Sequence, residues 1–149
     1  IGFNYSMNKK WQFVLDINHV NWKVYDTLAF DYALNTSSLL DTKSARNYHS
    51  IFAFRGGLSY TANEKWIVRI GSGFGFSPVP SGFVTPETPD ANRFYGTCGL
   101  SYRCNQHFSM DASFYATRIS RTDKNSESQL NGTFTTIALA PGISLNYKW

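Results

Sequence analysis

The sequence has few charged residues and no long apolar run. Asp, Glu, Lys and Arg make up 16% of its 149 residues, whereas an average globular domain is about a quarter charged. The mean hydropathy is −0.30, and no apolar stretch approaches the roughly 18 residues that a transmembrane helix requires. The net charge of +4 comes from scattered Lys and Arg residues without a basic run, so nucleic acid is not expected as a partner.

Signatures of catalysis and of metal binding are also missing. No G-x-S-x-G motif occurs, which argues against a serine hydrolase. The glycine-rich run at 71–75 has Phe76 where a dinucleotide fingerprint needs its third glycine. His19, His49 and His107 lack the spacing of metal ligands. We therefore expect no enzymatic activity, no metal and no cofactor.

Aromatic residues and strict alternation are what the sequence has in abundance. Phe, Tyr and Trp make up 17% of the chain. In the segment 66–76, large apolar residues such as Val68 and Ile70 alternate with Arg69 and three glycines. Many aromatics, few charges and alternation without an apolar run are together typical of a transmembrane β-barrel.

A soluble β-sandwich or lipocalin is the alternative, because its strands alternate as well. Two features favour the membrane. The polar faces carry few Lys and Glu residues, and aromatic residues cluster at strand ends beside short turns, as an interfacial girdle requires. The clustered residues are Trp11, Tyr60, Trp66, Tyr102, Phe108, Tyr147 and Trp149.

Loop lengths predict the topology. Short periplasmic turns are expected at 8–10, 61–65 and 104–107, and long outer loops at 35–47, 77–91 and 121–130. Consecutive short turns must be separated by two strands, so the segment 11–34 is predicted to be one long strand bent near Trp22. This gives seven strands. Since bacterial barrels have even strand counts, the chain is either part of a larger barrel or an eight-stranded barrel with a turn hidden in 11–34.

The two cysteines are predicted to be unpaired. Cys98 and Cys104 are six residues apart, which is about 20 Å along one strand and far beyond disulfide reach. Only a turn between them would allow a bond. We place Cys98 on the lipid face and Cys104 in a turn.

A proline-rich stretch at 71–94 interrupts the alternation. One strand ends at Ser77-Pro78-Val79-Pro80, and Pro89-Asp90 precedes a new strand that opens at Asn92-Arg93-Phe94. Each proline removes a ladder donor, so this segment must be a long, stiff loop, which Asp90 and Arg93 are expected to close by pairing. The pattern of S-P-V-P followed by P-D-x-x-R-aromatic resembles the FadL/OMPP1/TodX family of outer-membrane β-barrels, which take up long-chain fatty acids and other hydrophobic molecules.

The resemblance covers nearly all 149 residues, including NHVNW at 18–22 and GLSY at 57–60. It is confined to the C-terminal part of such a protein. It implies an all-β, antiparallel transmembrane barrel, of which about seven strands are present as the C-terminal half of a fourteen-stranded barrel. Residues 1–149 would form a single barrel segment, with the export leader, the N-terminal plug and the first strands expected upstream of Ile1.

The function implied by the resemblance is a multi-pass channel in the Gram-negative outer membrane, which passes long-chain fatty acids or other hydrophobic molecules by facilitated diffusion. The implied partners are those molecules, outer-membrane lipid with lipopolysaccharide, and the assembly machinery that reads a C-terminal aromatic such as Trp149. The alternative is a FadL-like barrel that serves as a scaffold in secretion or surface assembly without transport.

Charges on the polar, lumen-facing side are the candidate site residues. Unpaired charge in a confined interior is costly, so these side chains are expected either to brace the wall as ion pairs or to hold a fatty-acid carboxylate. Two further cations near the outer mouth are candidates for attracting an anionic head group. The lumen candidates are Asp16, Arg55, Arg69 and Asp111, and those at the mouth are Lys43 and Arg46.

Overall fold

The computed structural model describes residues 1–87 and 89–149, which form nine β-strands and one short 3₁₀ turn, Trp22–Val24. No helix in these ranges is long and apolar enough to cross a membrane. The strands are β1 (Gly2–Ser6), β2 (Trp11–Val20), β3 (Thr27–Phe30), β4 (Thr42–Ala45), β5 (Ile51–Thr61), β6 (Trp66–Gly75), β7 (Arg93–Arg103), β8 (Phe108–Lys124) and β9 (Asn131–Tyr147).

Seven of these strands form one antiparallel sheet in the order β1-β2-β5-β6-β7-β8-β9. The predicted seven-stranded antiparallel sheet is therefore confirmed. The three short turns lie at one end of the sheet, and the longer connections lie at the other. We call these the turn end and the loop end.

The prediction of one continuous strand over 11–34 is wrong. β2 ends at Val20, opposite Ile51, and the chain then leaves the sheet through the 3₁₀ turn. β3 and β4 pair only with each other, as a separate hairpin. The backbone oxygen of Asp26 accepts from the N–H groups of Arg46 and Asn47, which joins the base of this outer hairpin before the chain enters β5.

The sheet exposes its apolar face. The side chains of Phe94, Leu139 and Ile143 are 63%, 64% and 82% exposed, respectively. A soluble sandwich would bury such residues against a second layer, whereas a barrel wall presents them to lipid. Among the described residues, the buried apolar cluster is small and lies at the loop end, around Tyr48, Val79 and Val84.

Aromatic pairs border the apolar face at the turn end. The strand register places aromatic side chains opposite each other on neighbouring strands, so the two rings of each pair lie at the same height on the sheet. This arrangement is typical of an interfacial girdle. The pairs are Trp11 with Tyr60 (ring centroids 4.4 Å apart), Trp66 with Tyr102 (4.5 Å), and Phe108 with Tyr147.

The last hairpin extends further than the sequence predicts. Residues 121–130 are predicted to be loop, but β8 continues to Lys124 and β9 begins at Asn131, which leaves a tip of six residues at 125–130. Both faces are polar here, so apolar alternation cannot mark a strand. Backbone pairing continues because hydroxyl groups pair across the strands, Ser120 with Thr135 at 3.0 Å and Thr122 with Thr133 at 2.7 Å.

Glycines on the polar face make room for neighbouring side chains. A Cβ at Gly73 would lie 2.3 Å from the ring of Tyr95, which packs against the ring of Tyr115 at a centroid distance of 5.3 Å. Gly96, on the apolar face of β7, has no atom within 4 Å of such a Cβ. Close packing therefore requires a glycine at position 73 but not at position 96.

Replacing Gly73 with alanine in the full-length protein should destabilise the folded barrel by about 1–3 kcal/mol, because the Tyr95 ring must leave its place. Unfolding in detergent, followed by tryptophan fluorescence against denaturant, measures this. Gly96→Ala is the matched control and should leave the midpoint unchanged. Equal midpoints for the two variants would show that the Tyr95 contact does not restrict position 73.

Candidate functional site

A trough of about 610 Å³ lies along the polar face of the sheet. Glycines at 57, 71 and 99 contribute to its floor, where the absence of side chains leaves the space open. All four charges predicted for the lumen line it. The four are Asp16, Arg55, Arg69 and Asp111. The structure thus brings together side chains that come from four different strands.

Arg69 and Asp111 form an ion pair in this trough. Arg69 Nη1 lies 3.8 Å from Asp111 Oδ1, and the Ser101 hydroxyl bridges them by accepting from Arg69 and donating to Asp111. The amide of Asn146 donates to the other carboxylate oxygen at 2.6 Å. This network links β6, β7, β8 and β9, as expected for an ion pair that stabilises the barrel wall. It also neutralises the charge of Arg69.

Arg55 is in a different situation. It lies opposite Asp16 in the β2–β5 register, yet no ion pair forms between them, and Asp16 instead accepts a hydrogen bond from Asn18. Within 1–87 and 89–149, no hydrogen bond or ion pair engages the guanidinium of Arg55, and the residue is exposed on the polar face. A cation without a protein partner is available to an anionic ligand.

A second cavity, of about 430 Å³, lies above the trough at the loop end. Six of the fifteen described residues that line it are aromatic, so we call it the aromatic cavity, and Arg55 lines both this cavity and the trough. Sequence analysis missed this site, because its residues come from the segments that flank the outer hairpin, from strand ends and from the proline-rich loop. The aromatic residues that line it are Trp22, Tyr25, Tyr48, Phe74, Phe76 and Tyr95, of which Phe74 lies on the apolar face of β6, opposite Phe54 and Phe94.

The two cations predicted at the mouth differ in their surroundings. Arg46 is only 5% exposed, and its Nη2 lies 3.6 Å from the Glu87 carboxylate while Nη1 donates to Thr85 Oγ1 at 3.4 Å. It therefore joins the outer hairpin to the proline-rich loop. Lys43 is exposed on β4, and none of the ion pairs in the described part of the chain involves it. Binding of a head group by either residue stays a prediction.

The described residues of the loop 76–92, which we call the proline loop, fold over the polar face and are clamped there by Arg121. Nη1 of Arg121 donates to the backbone oxygens of Val79 at 2.7 Å and Asp90 at 3.2 Å. The same nitrogen lies 3.4 Å from the hydroxyl of Ser77. One guanidinium thus holds both ends of the loop, while Nη2 pairs with Asp123 at 3.0 Å.

The tip of the proline loop is held by Asp123. Its carboxylate accepts from the N–H of Gly82 at 3.1 Å and from the Ser81 hydroxyl at 3.2 Å. Gly82 has φ +87°, a conformation in which glycine is favoured. Burial by itself would raise the pKa of Asp123, but hydrogen bonds from Gly82, Lys124 and Ser81, together with the charge of Arg121, lower the pKa below its ordinary value. Asp123 lies on the outer extension of β8, beyond the apolar face.

Local pairing at the loop base follows the sequence prediction. Arg93 Nη2 lies 3.3 Å from Asp90 Oδ1, so the predicted closing pair is confirmed. Cys98 is a free thiol exposed on the apolar face, and Cys104 is a half-buried free thiol in the 104–107 turn. Among residues 1–87 and 89–149, no group of three His, Cys, Asp or Glu side chains is placed to hold a metal ion.

The family model described as "Outer membrane protein transport protein (OMPP1/FadL/TodX)" matches residues 1–149. The chain belongs to this family. The family consists of transport proteins of the outer membrane rather than enzymes, and its fold is the β-barrel that the seven-stranded sheet represents in part.

Known FadL-family members are similar to this chain over part of their length. It is 24% identical over 110 residues to the long-chain fatty acid transport proteins of Escherichia coli K12 and Salmonella typhi, an alignment that covers 74% of this chain and 24% of each relative. The crystal structure of a Pseudomonas aeruginosa FadL homologue superimposes with a TM-score of 0.82 at 17% identity, covering 98% of this chain and 34% of that one. The chain thus spans about a quarter to a third of these proteins.

Replacing Arg121 with glutamine should release the proline loop, because three hydrogen bonds to the loop and the pair with Asp123 are lost together. Hydrogen exchange of the amides in 76–92 is expected to accelerate about tenfold or more in the full-length protein. Arg103→Gln, an equal change at the turn end of the same polar face, should leave this exchange unaltered. If the amides in 76–92 exchange at the same rate in both variants, Arg121 does not hold the loop in place.

Loop docking should also depend on pH. The pKa of Asp123 in the folded protein is lower than in an unfolded chain, where it is about 3.9. The carboxylate therefore stabilises the docked loop fully at neutral pH, and this contribution is lost as the pH falls below about 4 and through the folded pKa. Amide exchange in 76–92, corrected for intrinsic rates, should rise in that window in the native protein and should lose this dependence in Asp123→Asn.

Proposed function

We propose that the chain is part of the wall of a multi-pass outer-membrane channel that takes up long-chain fatty acids or similar hydrophobic molecules by facilitated diffusion. Membership in the FadL family supports uptake at the level of the family. The observation that carries the finer proposal is the position of Arg55, a cation without a partner in the described chain, between the aromatic cavity and the trough on the polar face of the sheet.

The two cavities suit the two ends of an amphipathic molecule. An acyl chain gains about 25 cal/mol per Å² of apolar surface that it removes from water, and the aromatic side chains of the outer cavity supply that surface. A carboxylate would meet the guanidinium of Arg55 where the two spaces join. Arg69 is a weaker candidate, because Asp111 already neutralises it.

The proposed path runs from the loop end to the trough. Ligand would enter the aromatic cavity beside the proline loop, reach Arg55 with its head group, and then continue along the glycine-lined floor. Movement would be driven by the concentration gradient, without a cofactor. Contact with outer-membrane lipid and with the assembly machinery is part of the same proposal.

The test uses the full-length protein, with binding of a long-chain fatty acid and of the fatty alcohol of equal length measured in detergent. Arg55→Gln should weaken fatty-acid binding by about tenfold, since a charge-assisted hydrogen bond is lost, and should leave alcohol binding unchanged. Arg103→Gln, on the same face but outside both cavities, should change neither.

Uptake by cells that lack other fatty-acid transporters distinguishes the alternative function. Restored uptake of labelled fatty acid, reduced in Arg55→Gln, would support the channel. A full-length protein that reaches the outer membrane but neither binds nor passes hydrophobic molecules would contradict it. Recovery of that inactive protein in a stable complex with secretion components would support the scaffold instead.

A further inference from the structure

The outward face of the β8–β9 hairpin changes its chemistry abruptly at Arg118. From the turn end up to this point, the side chains on this face of β8 and their partners on β9 are mostly apolar, and the last apolar partner is Ile137, opposite Arg118. Beyond it the facing pairs are Ser120 with Thr135, Thr122 with Thr133 and Lys124 with Asn131. We call these six residues together with Arg118 the outer strip.

The depth of this change matches the edge of a membrane. The strand from Phe108 to Arg118 rises by about 34 Å at roughly 3.4 Å per residue. Tilted at about 45°, it covers about 24 Å, close to the roughly 25 Å apolar band of outer-membrane barrels. The girdle pair of Phe108 and Tyr147 marks one edge of that band, and Arg118 lies at the other. The outer strip therefore begins at the level of the outer head groups.

The charge on the outer strip is positive and uncompensated. Arg118 and Lys124 are both exposed, and no ion pair in the described part of the chain involves either residue. The acidic residues that neighbour Lys124 in the chain have other partners: Asp123 faces inward to Arg121, and Glu127 accepts a hydrogen bond from Ser44. Two cations on a surface of hydroxyl and amide groups favour a ligand with phosphate and sugar groups.

The proline loop holds the outer strip rigid from behind. Along β8, Arg121 and Asp123 bind that loop on the inner face, where Thr117 and Ile119 are buried as well, while Arg118, Ser120 and Thr122 are exposed outward. The hydroxyl pairs across the two strands fix the outward side chains further. The strip thus presents its donors at fixed positions, which reduces the entropy lost when a ligand binds.

We propose that the outer strip binds the phosphorylated head group of an outer-leaflet glycolipid, namely lipopolysaccharide. Arg118, at the top of the apolar band, pairs with a phosphate near the acyl chains, as interfacial Arg residues do. Lys124 meets anionic groups farther out, and the hydroxyl pairs donate to sugar oxygens. The inference rests on the proposed outer-membrane location, but not on fatty-acid transport.

The test compares full-length wild type with the double variant Arg118→Gln, Lys124→Gln. Purified lipopolysaccharide is titrated against detergent-solubilised protein freed of lipid, and binding is followed by native mass spectrometry. The double variant should bind at least about tenfold more weakly. Lys9→Gln, Lys10→Gln removes the same charge from the first turn at the opposite end of the sheet, and it should bind like the wild type.

Two further measurements separate the possible outcomes. Dephosphorylated lipopolysaccharide should not distinguish wild type from the double variant, because the lost contacts are to phosphate. Phosphatidylcholine should not distinguish them either, because its choline cation already neutralises its phosphate. Equal affinity of wild type and double variant for intact lipopolysaccharide would overturn the proposal. Fatty-acid binding by the same preparations is expected to be unaffected, so failure of the glycolipid site and failure of the transport function are distinguishable.

Discussion

The hydrogen-bonding requirement of the backbone in lipid is the constraint on which this structure depends. Every N–H and C=O within the bilayer needs a partner, and an antiparallel ladder supplies one for each group between neighbouring strands. Period-two alternation follows, with one face apolar and the other polar. The end strands β1 and β9 do not pair with each other in the described sheet, so in a membrane both require further strands, as expected for part of a barrel.

The loop end, beyond the exposed apolar face, is organised differently from the wall. Here the chain forms a small conventional core around Tyr48, Val79 and Val84, and buried charges are held by several partners each. Arg121 and Asp123 extend a wall strand into this core and hold the proline loop across the polar face. The same hairpin therefore presents an inner face for docking and an outer face toward the surroundings.

Charge on the polar face takes two forms. The pair of Arg69 and Asp111, bridged by Ser101, offsets the cost of placing charge on a confined wall and links four strands. Arg55 has no such partner among the described residues and lies where the aromatic cavity meets the trough. A paired charge stabilises the wall, whereas an unpaired one is available to a ligand, and the family's transport role makes this difference relevant to function.

Much of the sheet could be predicted from the sequence alone, because a strand that faces lipid needs an apolar side chain at every second residue. Seven strands, the short turns, the girdle and the common face of the four lumen charges all follow from alternation and turn residues. The outer hairpin, the extension of β8 to Lys124 and the clamp by Arg121 do not follow. Both faces of the β8 extension are polar, and the loop atoms that Arg121 contacts belong to residues 31 to 44 positions away in the chain. Only the tertiary structure decided which charges are paired, because pairing depends on side-chain positions across strands that alternation does not specify.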